Sequence, residues 1–196
     1  MPRLAFAAVL ALTACHGGGV TSDEEAEGAY IGLDTAIVRG MNLGMDGYNA
    51  ASSANIPDQT APGDVSGTMT VSGQVDQGSS DNKGMRLSVA LVDYADGVAL
   101  DSDTTLDVTY ATDAAAQPAL DLSLRNIPDG TFSGTFVGAI GMTGDLEGDV
   151  TLDVAMDGAI ETDPDDAAKL RRVEGTTHIT GTATSDYGTY DIDVTR

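Results

Sequence analysis

The sequence predicts a mainly β fold: an antiparallel meander of about eight strands, forming a curved sheet, sandwich or barrel-like domain behind an N-terminal helix. Three observations carry this expectation. From residue 64 onward, apolar residues alternate with Thr, Ser and Asp. Residues 22–49 repeat their apolar positions at helical spacing instead. Large core formers are scarce, with no Trp, 3 Phe and 6 Tyr against 24 Gly. Yet 41% of the residues are hydrophobic and regularly placed, which argues for a folded domain with a thin core rather than for disorder.

The chain opens with Met1-Pro2-Arg3 and a short apolar run, Leu4 to Leu12. One positive charge followed by such a run has the layout of a secretory signal, and the run is too short for a spanning helix, which needs about 20 residues. It ends in Leu12-Thr13-Ala14-Cys15, which resembles the lipobox of bacterial lipoproteins. The resemblance implies a signal peptide over residues 1–14, removed before Cys15, and a lipid on the Cys15 thiol. Two or more acyl chains then hold a protein stably to a bilayer, where one holds it only marginally. Cys15 is the chain's single cysteine, so the mature protein carries no disulfide even in an oxidising compartment. His16 rather than Asp follows it, which by the same resemblance favours the outer membrane, facing the periplasm or the cell surface. Residues 15–21, rich in Gly, are expected to be the lipidated tether.

The helix is expected over residues 22–49. Ser22-Asp23-Glu24-Glu25 fits a capping box, with Ser22 as N-cap and Glu25 returning to its amide. Ala26, Tyr30, Leu33, Ile37 and Met41 follow at helical spacing. Gly28, Gly32, Gly40 and Gly44 work against it, each by up to about 1 kcal/mol relative to Ala. Residues 50–63, with two prolines, read as a linker, and residues 64–196 as the antiparallel β domain.

Within that domain the apolar phase runs through Val65, Met69, Val71 and Val75, then Met85 to Leu91, then Leu106, Val108 and Tyr110, then Leu120, Leu122 and Leu124. One buried and one wet face is the mark of an antiparallel sheet. The longest run keeps even parity from Phe132 to Ile160, which requires a hairpin loop with an odd number of residues. Met142-Thr143-Gly144 supplies one, and predicts Ile140 opposite Leu146 and Phe136 opposite Val150. Near the end the parity flips, from Val173, Ile179 and Ala183 to Tyr190, Ile192 and Val194. Ser185-Asp186-Tyr187-Gly188 supplies the even-length turn that a flip needs. Asp163-Pro164 with acids first and Lys169, Arg171 and Arg172 last reads as a short helix matched to its dipole. A transmembrane barrel is not expected, since aromatic girdles are missing.

Function is less legible. A net charge of −22 repels nucleic acid and anionic lipid, so nucleic-acid binding is set aside. No Gly-x-Ser-x-Gly elbow, CxxC, phosphate loop or dinucleotide fingerprint is present. His178 falls on the polar phase of its strand. Asp101-Ser102-Asp103 and Asp163 to Asp166 offer oxygen donors without EF-hand spacing, and Met41 and Met45 read as packing residues rather than copper ligands. No catalytic residue, metal or cofactor is expected. The leading expectation is a non-catalytic, lipid-anchored envelope protein with a structural or interaction role. The alternative is a carrier whose hydrophobic ligand would sit among Phe132, Phe136, Val150 and Val154; a weaker one is a calcium-dependent surface module. Beyond the lipobox, the composition resembles that of uncharacterised Thr/Gly/Asp-rich β lipoproteins of Gram-negative bacteria, a likeness that carries no function with it.

Overall fold

Strict alternation of apolar and polar residues makes each strand two-faced, and the computed structural model, which describes residues 19–99 and 105–196, joins those strands into one antiparallel sheet. Two helices come first, α1 (Asp23–Ile31) and α2 (Asp34–Ala50). The strands follow as β1 (Asn55–Pro62), β2 (Ser66–Val75), β3 (Lys83–Ala95), β6 (Val108–Ala111), β7 (Ala119–Arg125), β8 (Gly130–Gly144), β9 (Gly148–Thr162), β10 (Leu170–Arg172), β11 (His178–Ser185) and β12 (Gly188–Thr195). A separate two-stranded ribbon, β4 (Val98–Ala99) with β5 (Thr105–Leu106), lies between β3 and β6.

The sheet path runs β1-β2-β3-β6-β8-β9-β11-β12, so β1 and β12 are its two edges. Strands β6 and β7 share one lane: β7 pairs the first half of β3, β6 its end, and both pair β8. In the same way β10 and β11 share the far side of β9. The apolar face is continuous, from Met69 and Val71 through Leu87 and Leu120 to Val154 and Ile179, each at most 2% exposed. Helix α1 packs along β12 and β11, while α2 reaches β1, β2, β3, β7 and β10. The helices thus cover the apolar face and touch both sheet edges, and helices and strands form a single core.

The helical segment holds the expected residues, with Ala26, Tyr30, Leu33, Ile37 and Met41 all buried. It is two helices rather than one, because it breaks at Gly32-Leu33. A side chain at Gly32 would place its Cβ 2.0 Å from the Tyr110 hydroxyl, which donates to the Ala29 carbonyl. The glycines expected to weaken the helix are its contact face: a Cβ at Gly40 would meet Leu120 at 2.8 Å, and one at Gly44 would meet Met85 at 2.9 Å. Their cost in propensity is offset by close approach to the sheet. Ser22 caps α1 by accepting from the Glu25 amide, while the Glu25 carboxylate reaches back to Thr21 rather than to Ser22.

Four further expectations are corrected. Residues 50–63 contain the edge strand β1, and Pro57 and Pro62 are tolerated there because an edge needs fewer donors. Val65 is 67% exposed, since it lies in the turn before β2 and a bulge follows between Ser66 and Thr68. The β8–β9 register is displaced by four residues, with Ile140 opposite Val150 and Phe136 opposite Val154. Parity survives because the shift is even, so every side chain keeps its face. The hairpin extends to Asp145–Glu147 because the end of β8 finds partners: Gly144 pairs Val108, and Asp145 exchanges bonds with Asp107. Finally, residues 163–172 form no helix. Asp163 and Asp166 cap tight turns by accepting from Asp165 and Ala168, and Leu170–Arg172 is strand β10. The turn Asp186-Tyr187 joins β11 to β12 with Ser185 opposite Gly188, the even count that the flipped parity requires.

Candidate functional site

Three acids and three arginines near the helices gather into two bonded polar clusters. The first cluster forms where α2 begins. Asp34 sits at the α2 N-terminus with 6% of its side chain exposed, and Arg172 of β10 approaches it with both terminal nitrogens. Arg172 Nη1 donates to Oδ1 at 2.8 Å and Nη2 donates to Oδ2. Arg196, the last residue, adds Nε at 3.4 Å from Oδ2. Burial works against the Arg172 charge, but the hydrogen bond and negative charge of Asp34 outweigh it and hold the guanidinium above its ordinary pKa. Tyr30, one turn before Asp34, is pushed up by burial and then by the Asp34 charge. Among the described residues its buried hydroxyl has no hydrogen-bond partner. An open groove of about 580 Å³ borders the cluster, lined by Thr35, Arg171, Arg172, Glu174 and Arg196 among others.

The second cluster lies on the other flank of α2. Arg39 Nη1 donates to Asp96 Oδ1 at 2.7 Å, and Nη2 donates to Asp64 Oδ1 at 2.7 Å. Tyr94 donates to Asp96 Oδ2 at 2.5 Å, and the Asp64 amide donates to Asp96 Oδ1 at 3.0 Å. Arg39 also bonds the Tyr94 hydroxyl and stacks 5.5 Å from its ring centre. Burial raises the Tyr94 pKa first, and its hydrogen bond to Asp96 adds to this. Desolvation opposes the Arg39 charge, and Asp96 more than compensates.

Chemically, these groups act as fixed counter-charges. Each buried carboxylate already accepts from a guanidinium, so it serves as an anchor point for α2 on β10 at one side and on the end of β3 at the other. A buried pair that is fully bonded contributes little net stability, yet removing one partner is costly.

The residues singled out from sequence are distributed differently. Phe132, Phe136, Val150 and Val154 face inward on β8 and β9, at most 3% exposed, within the common core. Phe136 packs opposite Val154, Val150 opposite Ile140, and Phe132 opposite Gly158, whose Cβ would lie 3.1 Å from its ring. Phe132 also borders a surface groove, with Arg125, Thr131 and Asp157. His178 is exposed, with Nε2 2.9 Å from Asp193 Oδ1. Cys15, His16, Asp101 and Asp103 lie outside the described residues. Among the described residues, no group of three or more His, Cys, Asp or Glu is placed to hold a metal ion, and no helix is long and apolar enough to cross a membrane.

Neither cluster was found from the sequence. Asp34 offered the one available signal, a carboxylate on the apolar phase of the helix four residues after Tyr30. Its partner is hidden, because the local pattern assigns Arg171 and Arg172 to the end of a helix that does not form. No family model, curated protein or solved structure matches the chain.

Proposed function

We propose that this protein is a non-catalytic module held to the cell envelope by a lipid on Cys15, acting as a structural or interaction domain. The observation that carries the reading is the sequence Leu12-Thr13-Ala14-Cys15 directly ahead of the folded domain. The packing of the first described residues is consistent with it. Val20 is 1% exposed and its carbonyl accepts from Ser185 Oγ at 2.5 Å, so the domain begins only a few residues after the cysteine. The polar clusters support a structural role, because their carboxylates are committed to α2.

The test is expression of the full chain with a radiolabelled fatty acid, followed by membrane fractionation. Label on the protein and membrane association are expected, with both lost in Cys15→Ser. Unlabelled protein, or a Cys15→Ser variant that stays with the membrane, defeats the reading. Turnover of any substrate that a single substitution abolishes would overturn its non-catalytic part.

A further inference from the structure

The strands run from one end of the sheet to the other, so their connecting turns gather at two ends, apart from 112–118, which lies partway along the lane shared by β6 and β7. Turns 63–65, 145–147 and 186–187 lie at the first end, together with the β4–β5 ribbon. Turns 76–82, 126–129, 163–169 and 173–177 lie at the second.

The chain enters at the first end. A Cβ at Gly19 would contact Ser185 and the Tyr187 ring, each at 3.6 Å, and Gly148 approaches the Gly19 backbone from the neighbouring hairpin. Cys15 is four residues earlier, and four extended residues reach at most about 14 Å. The long strands β8 and β9, each of 15 residues, extend about 45 Å by comparison. A tether this short cannot bring the second end to a bilayer without laying the domain on its side.

Basic side chains are unevenly placed, while the turns of both ends are acidic, those of the second end carrying Asp76, Asp81, Asp129, Asp163, Asp165, Asp166 and Glu174. Six of the nine basic residues, Lys83, Arg125, Lys169, Arg171, Arg172 and Arg196, belong to the second end. The described turns and ribbon of the first end carry Asp64, Asp107, Asp145, Glu147 and Asp186 and no Lys or Arg, with Asp64 paired to Arg39 of α2. Such carboxylates resist sinking among anionic headgroups, and they do so across a screening length of about 8 Å at physiological ionic strength, which is shorter than the tether. Tyr187 is 61% exposed at this end, an aromatic with the apolar body and polar tip that suit a membrane boundary.

We infer that the end bearing Gly19, Asp145–Glu147 and Tyr187 is the domain's membrane-facing surface, and that the arginine-bearing end points away from the bilayer. The inference rests on the lipid anchor proposed above. The chain has no tryptophan, so one introduced residue gives a single fluorescent donor. Full-length lipidated Tyr187→Trp and Ala167→Trp are reconstituted into phosphatidylcholine vesicles containing dansyl-labelled phosphatidylethanolamine, and energy transfer to the headgroup is measured. Both sites are exposed, and circular dichroism checks that the fold is kept. Transfer is expected to be several-fold stronger from Tyr187→Trp. Equal or reversed transfer in vesicle-bound protein overturns the orientation while leaving the anchor intact. Failure of the lipidated chain to float with the vesicles overturns the anchor, and the orientation with it.

Discussion

Asp34 and Arg172 stand 138 residues apart in the chain and meet as a buried ion pair that fastens the second helix to strand β10. Removing the arginine strands a carboxylate that is only 6% exposed. Arg172→Met is therefore expected to lower stability by about 3 kcal/mol, the lower end for a broken buried pair, because Arg196 remains nearby. Urea denaturation of Arg172→Met, Asp34→Asn and the double variant gives the coupling. A double variant as unstable as the sum of the singles would show that the two side chains do not interact.

The fit of Tyr110 against the helix break makes an unusual prediction for a glycine in a helical segment. Alanine at an exposed helical site gains about 1 kcal/mol over glycine. Gly32→Ala is expected to lose about 1–3 kcal/mol instead, as overpacked cores do, since its methyl group would displace the Tyr110 hydroxyl. Tyr110→Phe in the same background should recover part of the loss. A thermal midpoint raised by Gly32→Ala alone would contradict the packing described.

Capping of the first helix is separable from its packing. Ser22 Oγ accepts from the Glu25 amide at 3.2 Å, so Ser22→Ala should cost about 1 kcal/mol and Ser22→Asp very little. Equal midpoints for wild type and Ser22→Ala in chemical denaturation would remove the cap from the account.

Glu27 has its carboxyl pKa raised, first by burial and also by the charges of Asp193, Asp23 and Glu24. A carboxyl whose pKa is higher folded than unfolded favours folding when protonated. That contribution is present at low pH and is lost as pH rises through the folded pKa. Glu27→Gln, which keeps an acceptor for the Asp193 amide, should therefore stabilise the protein at neutral pH, with the gain shrinking as pH falls below the carboxylate range. Thermal scans from acid to neutral pH check the sign, and a gain that grows toward acid would reverse the assignment.

Much of the fold was legible because alternation is a property of every residue in a strand. The parity of Phe132 through Ile160 placed each of those side chains on its correct face, even where the register was displaced by four. Register itself was not legible, since Asp107 and Val108 set it from a segment as far as 38 residues away and only their spatial proximity extends the hairpin. The 163–172 segment misled for a related reason. Asp-Pro followed by acids and then bases suits a helix locally, but Asp34 and Glu161 claim the two arginines from outside the segment. The ion-pair clusters were illegible for the same cause: each joins residues far apart in the chain, and one sequence carries no trace of such pairings.

The placement of α1 against β12 has a consequence for how the molecule comes into being. A chain that is made or exported from its N-terminus delivers both helices before any strand, yet the edge on which α1 rests consists of residues 188–195. The pair Thr177–Arg196 and the contact of Arg196 with Asp34 likewise wait for a residue that emerges after every strand of the sheet. Helix α1 must wait, its apolar side uncovered, until the final hairpin arrives. Contacts of such long sequence separation fold slowly and leave sticky surface exposed meanwhile. A chain lacking β12 thus loses the main partner of its first helix, and arrival of that strand is the event that seals the core.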